Sequence, residues 1–286
     1  MAKIKLITDS TCDLSEELVK ANDISVVPLY VNLGEDSYQD GIDLTTDQMY
    51  QKVEKSHLAP KTSAASPGDF EQIFKHYLDQ DYDIIYLGIG SKFSATLQNA
   101  HLAKKMLESD NIHLVDSQNL SSGSGLLLLK AAKMIKAGKN AEAIVEHIES
   151  LTPYVRSQFI IDTLDYLHKG GRLKAISAFV GTMIRLKPII RVIDGEMAVG
   201  KKPKGKLSNG IKVLLKDVLK DKDLIDKDAV MITHSQADQH VQPIKDVLTS
   251  EVKVNNIYET RAGCVISSHC GPGTIGVLYI VDPSKV

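Results

Sequence analysis

Short β-branched and apolar runs alternate along this chain with longer stretches whose apolar positions fall three or four residues apart. In the first half, Lys5–Asp9, Val26–Leu33, Ile84–Ile89 and Ile112–Asp116 are runs of the kind buried in parallel sheets. Leu14–Ala21, Asp69–Leu78, Ala95–Leu107 and Leu126–Ile135 have the spacing of amphipathic helices. The pattern predicts an α/β unit in which a wound parallel sheet carries helices on both faces. Gly138 and Asn140 end one helix, Ala141–Leu151 supplies another, and Thr152-Pro153 marks a break. We therefore expect an N-terminal domain over 1–155 and a second α/β domain over 156–286. The second half offers strands at Ser157–Ile161, Pro188–Ile193, Ala229–Thr233, Val252–Ile257 and Ile275–Val281. Helices are expected at Thr163–His168, Ser177–Leu186, Gly210–Leu219 and Asp238–Leu248. With no long linker between them, the halves should pack closely.

Composition narrows the class. Of 286 residues, 43% are hydrophobic, enough for a substantial core. Lys plus Arg total 34 against 36 Asp plus Glu, so the net charge of -2 gives no general attraction to nucleic acid or to an anionic membrane. No stretch has the length of a membrane span and the N-terminus has no signal-peptide pattern, so the expected compartment is the cytoplasm. Three scattered cysteines do not make a disulfide framework. Cys264, His269 and Cys270 have no second ligand pair at zinc spacing, so no metal site is expected.

Several catalytic strings are near misses. Gly271–Gly276 fits G-x-G-x-x-G, but a strand follows it where a dinucleotide site needs a helix. Gly195–Lys201 lacks the Ser or Thr of a P-loop, and Ser121-Ser122-Gly123-Ser124-Gly125 lacks the first glycine of a nucleophile elbow. The argument turns toward binding. Gly271-Pro272-Gly273 enforces irregular backbone beside His269, which is expected in a tight loop, as a binding group or as a cap on a nearby carbonyl. Ser66 should cap the helix that follows it, while Thr62 lies too far upstream for that task and is free to face a ligand. Ser94, in Gly88–Thr96, follows a buried strand at the end of the sheet where ligands bind in open α/β folds. Asp9 or Ser10, after the first strand, is expected to cap the next helix.

These pieces occur in an order that resembles the DegV family of bacterial fatty-acid-binding proteins, which includes the binding subunits of fatty acid kinase. The likeness runs essentially end to end. It rests on Thr8–Leu14, Lys61-Thr62-Ser63, Ser66-Pro67, Phe93–Thr96 with Gln98, Asp116-Ser117, Leu164–Arg172, Lys187-Pro188-Ile189 and His269–Gly273. The resemblance implies a two-domain protein that encloses a long acyl chain in a tunnel near the domain junction. Family contacts to the carboxylate fall on Thr62, on Ser94 with the backbone around Ala95, and on His269. Arg172 matches an arginine that supports the histidine or the carboxylate, or else forms a structural ion pair with Asp162 or Asp165. In two departures, Ala95 stands where many relatives have glycine, and Ala64 where glutamine is common.

An acyl chain gains about 0.8 kcal/mol per buried CH₂, so roughly fourteen methylenes supply about 11 kcal/mol before ordering costs. The head group then needs only enough polar partners to remain ionised in a dry pocket. The apolar stretch containing Ile176, Phe179, Val180, Met183 and Ile184 is a candidate wall or ordinary core. Six lysines, Lys201, Lys202, Lys204, Lys206, Lys212 and Lys216, fall between Glu196 and Asp217 with no acidic residue among them. The resemblance suggests that Lys202 and Lys204 help to dock the kinase subunit that carries ATP; they serve equally as solvated protection of a hairpin edge. The expectation is a carrier without catalysis, cofactor or metal, which presents a long-chain fatty acid for conversion to an acyl phosphate used in phospholipid synthesis. The rivals are a lipid-ester hydrolase or acyltransferase with Ser94 as nucleophile and His269 as base, and a lipid sensor.

Overall fold

The computed structural model describes residues 3–172 and 186–286. Its first half runs β1 (Lys3–Asp9), α1 (Glu16–Ala21), β2 (Ile24–Val27), β3 (Tyr30–Leu33), β4 (Asp36–Gln39), α2 (Thr46–Ser56), β5 (Lys61–Ser63), α3 (Pro67–Leu78), β6 (Tyr82–Leu87), α4 (Thr96–Leu107), β7 (Ile112–Val115), α5 (Ser122–Lys136) and α6 (Ala141–Leu151). A parallel sheet forms in the order β2-β1-β6-β7. Alternation along its strands sends Leu6, Ile85 and Leu87 toward α5 and α6, and Ile7, Ile84 and Tyr86 toward α3 and α4. Apolar residues on both faces are why the helices lie on both.

The single strand expected over Val26–Leu33 is two. Pro28 cannot donate to a ladder, so β2 stays in the parallel sheet while β3 leaves to centre an antiparallel sheet ordered β4-β3-β5. The pattern missed β4 (DSYQ) and β5 (KTS), which are largely polar, and α2, which buries only Met49 and Tyr50.

The second half runs β8 (Val155–Ile160), α7 (Asp165–Lys169), β9 (Ile189–Ile193), β10 (Glu196–Val199), α8 (Leu207–Val218), β11 (Ile225–Ser235), α9 (Val241–Glu251), β12 (Asn256–Arg261), α10 (Cys264–Cys270) and β13 (Thr274–Val281). Its sheet is ordered β10-β9-β8-β13-β11-β12, with β11 and β12 parallel and the other pairs antiparallel. The strand expected at Val252 begins at Asn256, because the Val252 N–H still closes the last turn of α9 on the Leu248 carbonyl. Helix α10 corrects the expected loop around His269. The Gly-Pro-Gly run stops a helix there: Gly271 (φ 76) and Gly273 (φ 80) take left-handed values just beyond it, which leaves His269 in the last turn. The candidate wall from Ile176 to Ile184 lies outside the described residues.

Helix α5 joins the two halves. Its buried face packs in one cluster with Leu6 and Ile85 of the parallel sheet and with Met231, Leu278 and Ile280 of the six-stranded sheet. At the edge of this arrangement the buried carboxylate of Asp9 organises the start of the site. One oxygen caps the turn Ser10–Cys12 by accepting the Thr11 N–H at 3.0 Å, and the other accepts the Tyr86 hydroxyl and the Ile89 N–H, each at 2.8 Å. Asp9 thus caps this short turn and holds the loop after β6, while the next helix, α1, is capped by Ser15 rather than by the expected Asp9 or Ser10. Gly88 makes that possible, since a Cβ there would lie 2.0 Å from Asp9 Oδ2. Gly88→Ala should therefore cost about 2–3 kcal/mol in urea unfolding. A change below about 0.5 kcal/mol, the level of an ordinary surface substitution, would contradict the packing described.

Candidate functional site

Four separate segments bring the expected residues together. Thr62 projects from β5, Ser94 and Ala95 end the loop after β6, Arg172 follows α7, and His269 lies on α10. All five line one cavity of about 270 Å³. Much of the remaining lining is apolar, including Leu29, Ile89, Phe93, Phe159, Leu167 and Met197. No Asp or Glu is among the described residues that line it.

The His269 Nε2 is 2.8 Å from Thr62 Oγ1, and Nδ1 is buried against Gly170 with no hydrogen-bond partner among the described residues. Burial, and then the positive charge of Arg172, push the imidazole down to about 4, so it is neutral near pH 7. Ser94 Oγ lies 2.7 Å from Thr96 Oγ1 and accepts the Thr96 N–H at 3.3 Å at the head of α4. Ser94 and His269 are thus bonded to different partners. Ala95 sits at φ −74, ψ 1, a conformation open to alanine, so the departure from glycine carries no strain. Arg172 donates to the Phe93 carbonyl at 3.2 Å and makes no ion pair among the described residues. The alternative partner Asp162 pairs instead with Lys187 at 2.5 Å.

Ser66 caps α3 as expected, within a capping box completed by Asp69. Cys264 and Cys270 are buried, and burial pushes both thiols up to about 12, so neither is a thiolate at neutral pH. No metal-binding group of His, Cys, Asp or Glu occurs among the described residues, and no helix among them is long and apolar enough to cross a membrane. Lys202 and Lys204 are exposed beyond the edge strand β10.

Two residues that sequence reasoning missed position His269. Asp13 Oδ1 accepts the Gly263 N–H at 2.8 Å, and Asp40 accepts the Cys264 N–H at 2.7 Å and the Val265 N–H at 3.3 Å. Both carboxyls are buried at the start of α10. Desolvation raises both, and the nearby acids Asp40 and Asp9 add to the rise of Asp13, which is pushed up to about 8. Its second oxygen bonds the hydroxyl of Ser121. Asp13 belongs to the Thr8–Leu14 string, but nothing in the sequence links it or Asp40 to a helix more than two hundred positions away.

A family profile described as an uncharacterised protein, DegV family, matches residues 3–282. The chain belongs to the DegV family. A DegV domain-containing protein of Clostridium acetobutylicum is 36% identical over 280 residues, covering 98% of this chain and 99% of the relative. A solved DegV family protein from Thermus thermophilus, described by its fatty acid binding, superposes with a TM-score of 0.91 at 31% identity, covering 98% and 99% of the two chains. A stearic acid-binding protein from Eubacterium ventriosum superposes with a TM-score of 0.86 at 27% identity, covering 99% and 100%. The two-domain α/β architecture expected from the sequence is thus that of solved DegV family proteins, which are described as binding fatty acids or lipid.

In this member of the DegV family, the acid at position 13 makes stability depend on pH. Its folded pKa lies above the unfolded value of about 3.9, so its contribution is complete below that value and is lost as pH rises through about 8. Asp13→Asn keeps an acceptor for Gly263 and turns an N–H toward Ser121. The melting temperature of Asp13→Asn minus that of the parent should grow by about 4 °C or more between about pH 5 and about pH 8. A difference that stays constant across that range would contradict a buried, protonated Asp13.

Proposed function

We propose that the protein binds a long-chain fatty acid at the junction of its two halves, which we divide near Val155. It presents the carboxylate to a separate ATP-carrying kinase, which forms an acyl phosphate for phospholipid synthesis. The observation that carries this reading is the convergence of Thr62, Ser94, Ala95, Arg172 and His269 on one largely apolar cavity with no acid among its described lining residues.

The hydrogen bonding suits a carboxylate. With no acceptor beside Nδ1 among the described residues, the neutral imidazole is best satisfied when Nε2 carries the proton and donates to Thr62 Oγ1. The Thr62 hydroxyl proton is then left for one carboxylate oxygen. Ser94 Oγ accepts the Thr96 N–H, and when the Thr96 hydroxyl is the donor in their 2.7 Å contact the Ser94 proton is left for the other oxygen, next to N–H groups in the first turn of α4 that have no intrahelical acceptor. Arg172 supplies positive potential and closes no ion pair among the described residues. The tail gains its affinity from apolar burial, so the polar residues orient the head rather than retain the ligand.

A hydrolase using Ser94 and His269 is less well supported, because each side chain has another partner and a nucleophile needs its base within hydrogen-bond reach. In the carrier reading, chemistry belongs to the kinase, and exposed Lys202 and Lys204 offer positive charge to an acidic face on it.

Thr62→Val, Ser94→Ala and His269→Ala should each retain bound fatty acid while kinase-dependent acyl phosphate formation falls about ten- to a hundredfold, the range for losing a hydrogen bond to a charged group. Lys202→Glu with Lys204→Glu should lower turnover about tenfold with retention unchanged. Parent-level phosphorylation from all three pocket variants would refute the head-group assignment, and parent-level turnover from the lysine variant would refute the docking role.

A further inference from the structure

The floor of the cavity contains a gap and a stop. Thr274, Gly276 and Leu278 alternate along β13, and all three line the cavity, so one face of this strand runs beneath it. At the near end, the Thr274 hydroxyl donates to the Cys270 carbonyl at 2.8 Å, which fastens the strand to the end of α10 beside His269. At the far end, Leu278 lies about 13 Å further along. Leu278 is 2% exposed, stands opposite Met231 across the sheet, and belongs to the core beneath α5. Between them Gly276 faces Thr233 on one side and Phe159 on the other and contributes no side chain of its own. A Cβ at Gly276 would lie 2.9 Å from the Phe159 Cβ, so any larger residue crowds this part of the floor.

Resting on the fatty-acid-binding reading above, we infer that Gly276 and Leu278 determine the length of acyl chain the pocket accepts. Gly276 leaves the floor open for methylenes leading away from the head group, and Leu278 closes the path where the cavity meets the core. Leu278→Ala removes three carbons from that stop and makes room for about as many on the ligand. Gly276→Val places branched bulk where the floor is bare.

The test uses full-length protein stripped of lipid and a series of saturated fatty acids of increasing length, with affinity measured by calorimetry. For the parent, affinity should rise about fourfold per methylene and then break at the longest chain the cavity holds. In Leu278→Ala the break should move to chains longer by about two to three carbons. In Gly276→Val it should move to shorter chains. Should Leu278→Ala fail to give a cooperative thermal transition, Leu278→Val makes the same test with a shift of about one carbon, and Gly276→Ala replaces Gly276→Val with a smaller shift toward shorter chains. A break at an unchanged length in the folded Leu278 variant overturns the inference while leaving the carrier reading in place. A parent protein that binds none of the acids overturns both.

Discussion

The site depends on two buried carboxyls that hold the start of a helix from the other end of the chain. Helix α10 is only seven residues long, too short to be stable by itself, and its first N–H groups have no intrahelical acceptors. Asp13 and Asp40 supply those acceptors, on Gly263, Cys264 and Val265. One turn later the same helix delivers His269 to Thr62 on β5. Burying two acids side by side is costly, and the raised pKa of each records that cost. The return is a helix fixed in position at the boundary between the two halves, with its last residues facing the cavity.

The electrostatics of the cavity follow from that placement. His269 is kept neutral by burial and by Arg172, and Arg172 is held by a backbone carbonyl, which leaves its charge unneutralised among the described residues. Among the described residues the lining therefore offers one positive charge, neutral hydroxyls and N–H groups, and no acid. Such a lining favours an anionic head, while the apolar walls favour a long hydrocarbon tail. In the proposed carrier reading the two demands fall to different residues, the apolar walls holding the tail and the polar groups orienting the head.

Much of this was legible in the residue pattern, and the failures have physical causes. The parallel sheet could be read because its strands are buried on both faces, and the helices because their apolar stripes are regular. Ser94 and Thr62 could be singled out because one follows a buried strand and the other lies too far from a helix start to cap it. His269 lines the cavity, but its setting was misread: Ser267, Ser268 and the β-branched Val265 and Ile266 hide a helix, and glycines that end a helix look like glycines that build a loop. Pro28 was passed over inside an apolar run, although its missing N–H is what sends β3 into another sheet. Asp13 and Asp40 carry no local signal, since their partners are backbone groups reached only through the tertiary fold.

The most direct test of the central claim is native mass spectrometry of the freshly purified protein, with extraction and identification of any added mass. The account predicts one long-chain fatty acid per chain, or stoichiometric uptake of one when it is supplied to lipid-free protein. A chain that is bare when isolated and remains bare after incubation with long-chain fatty acids would contradict it.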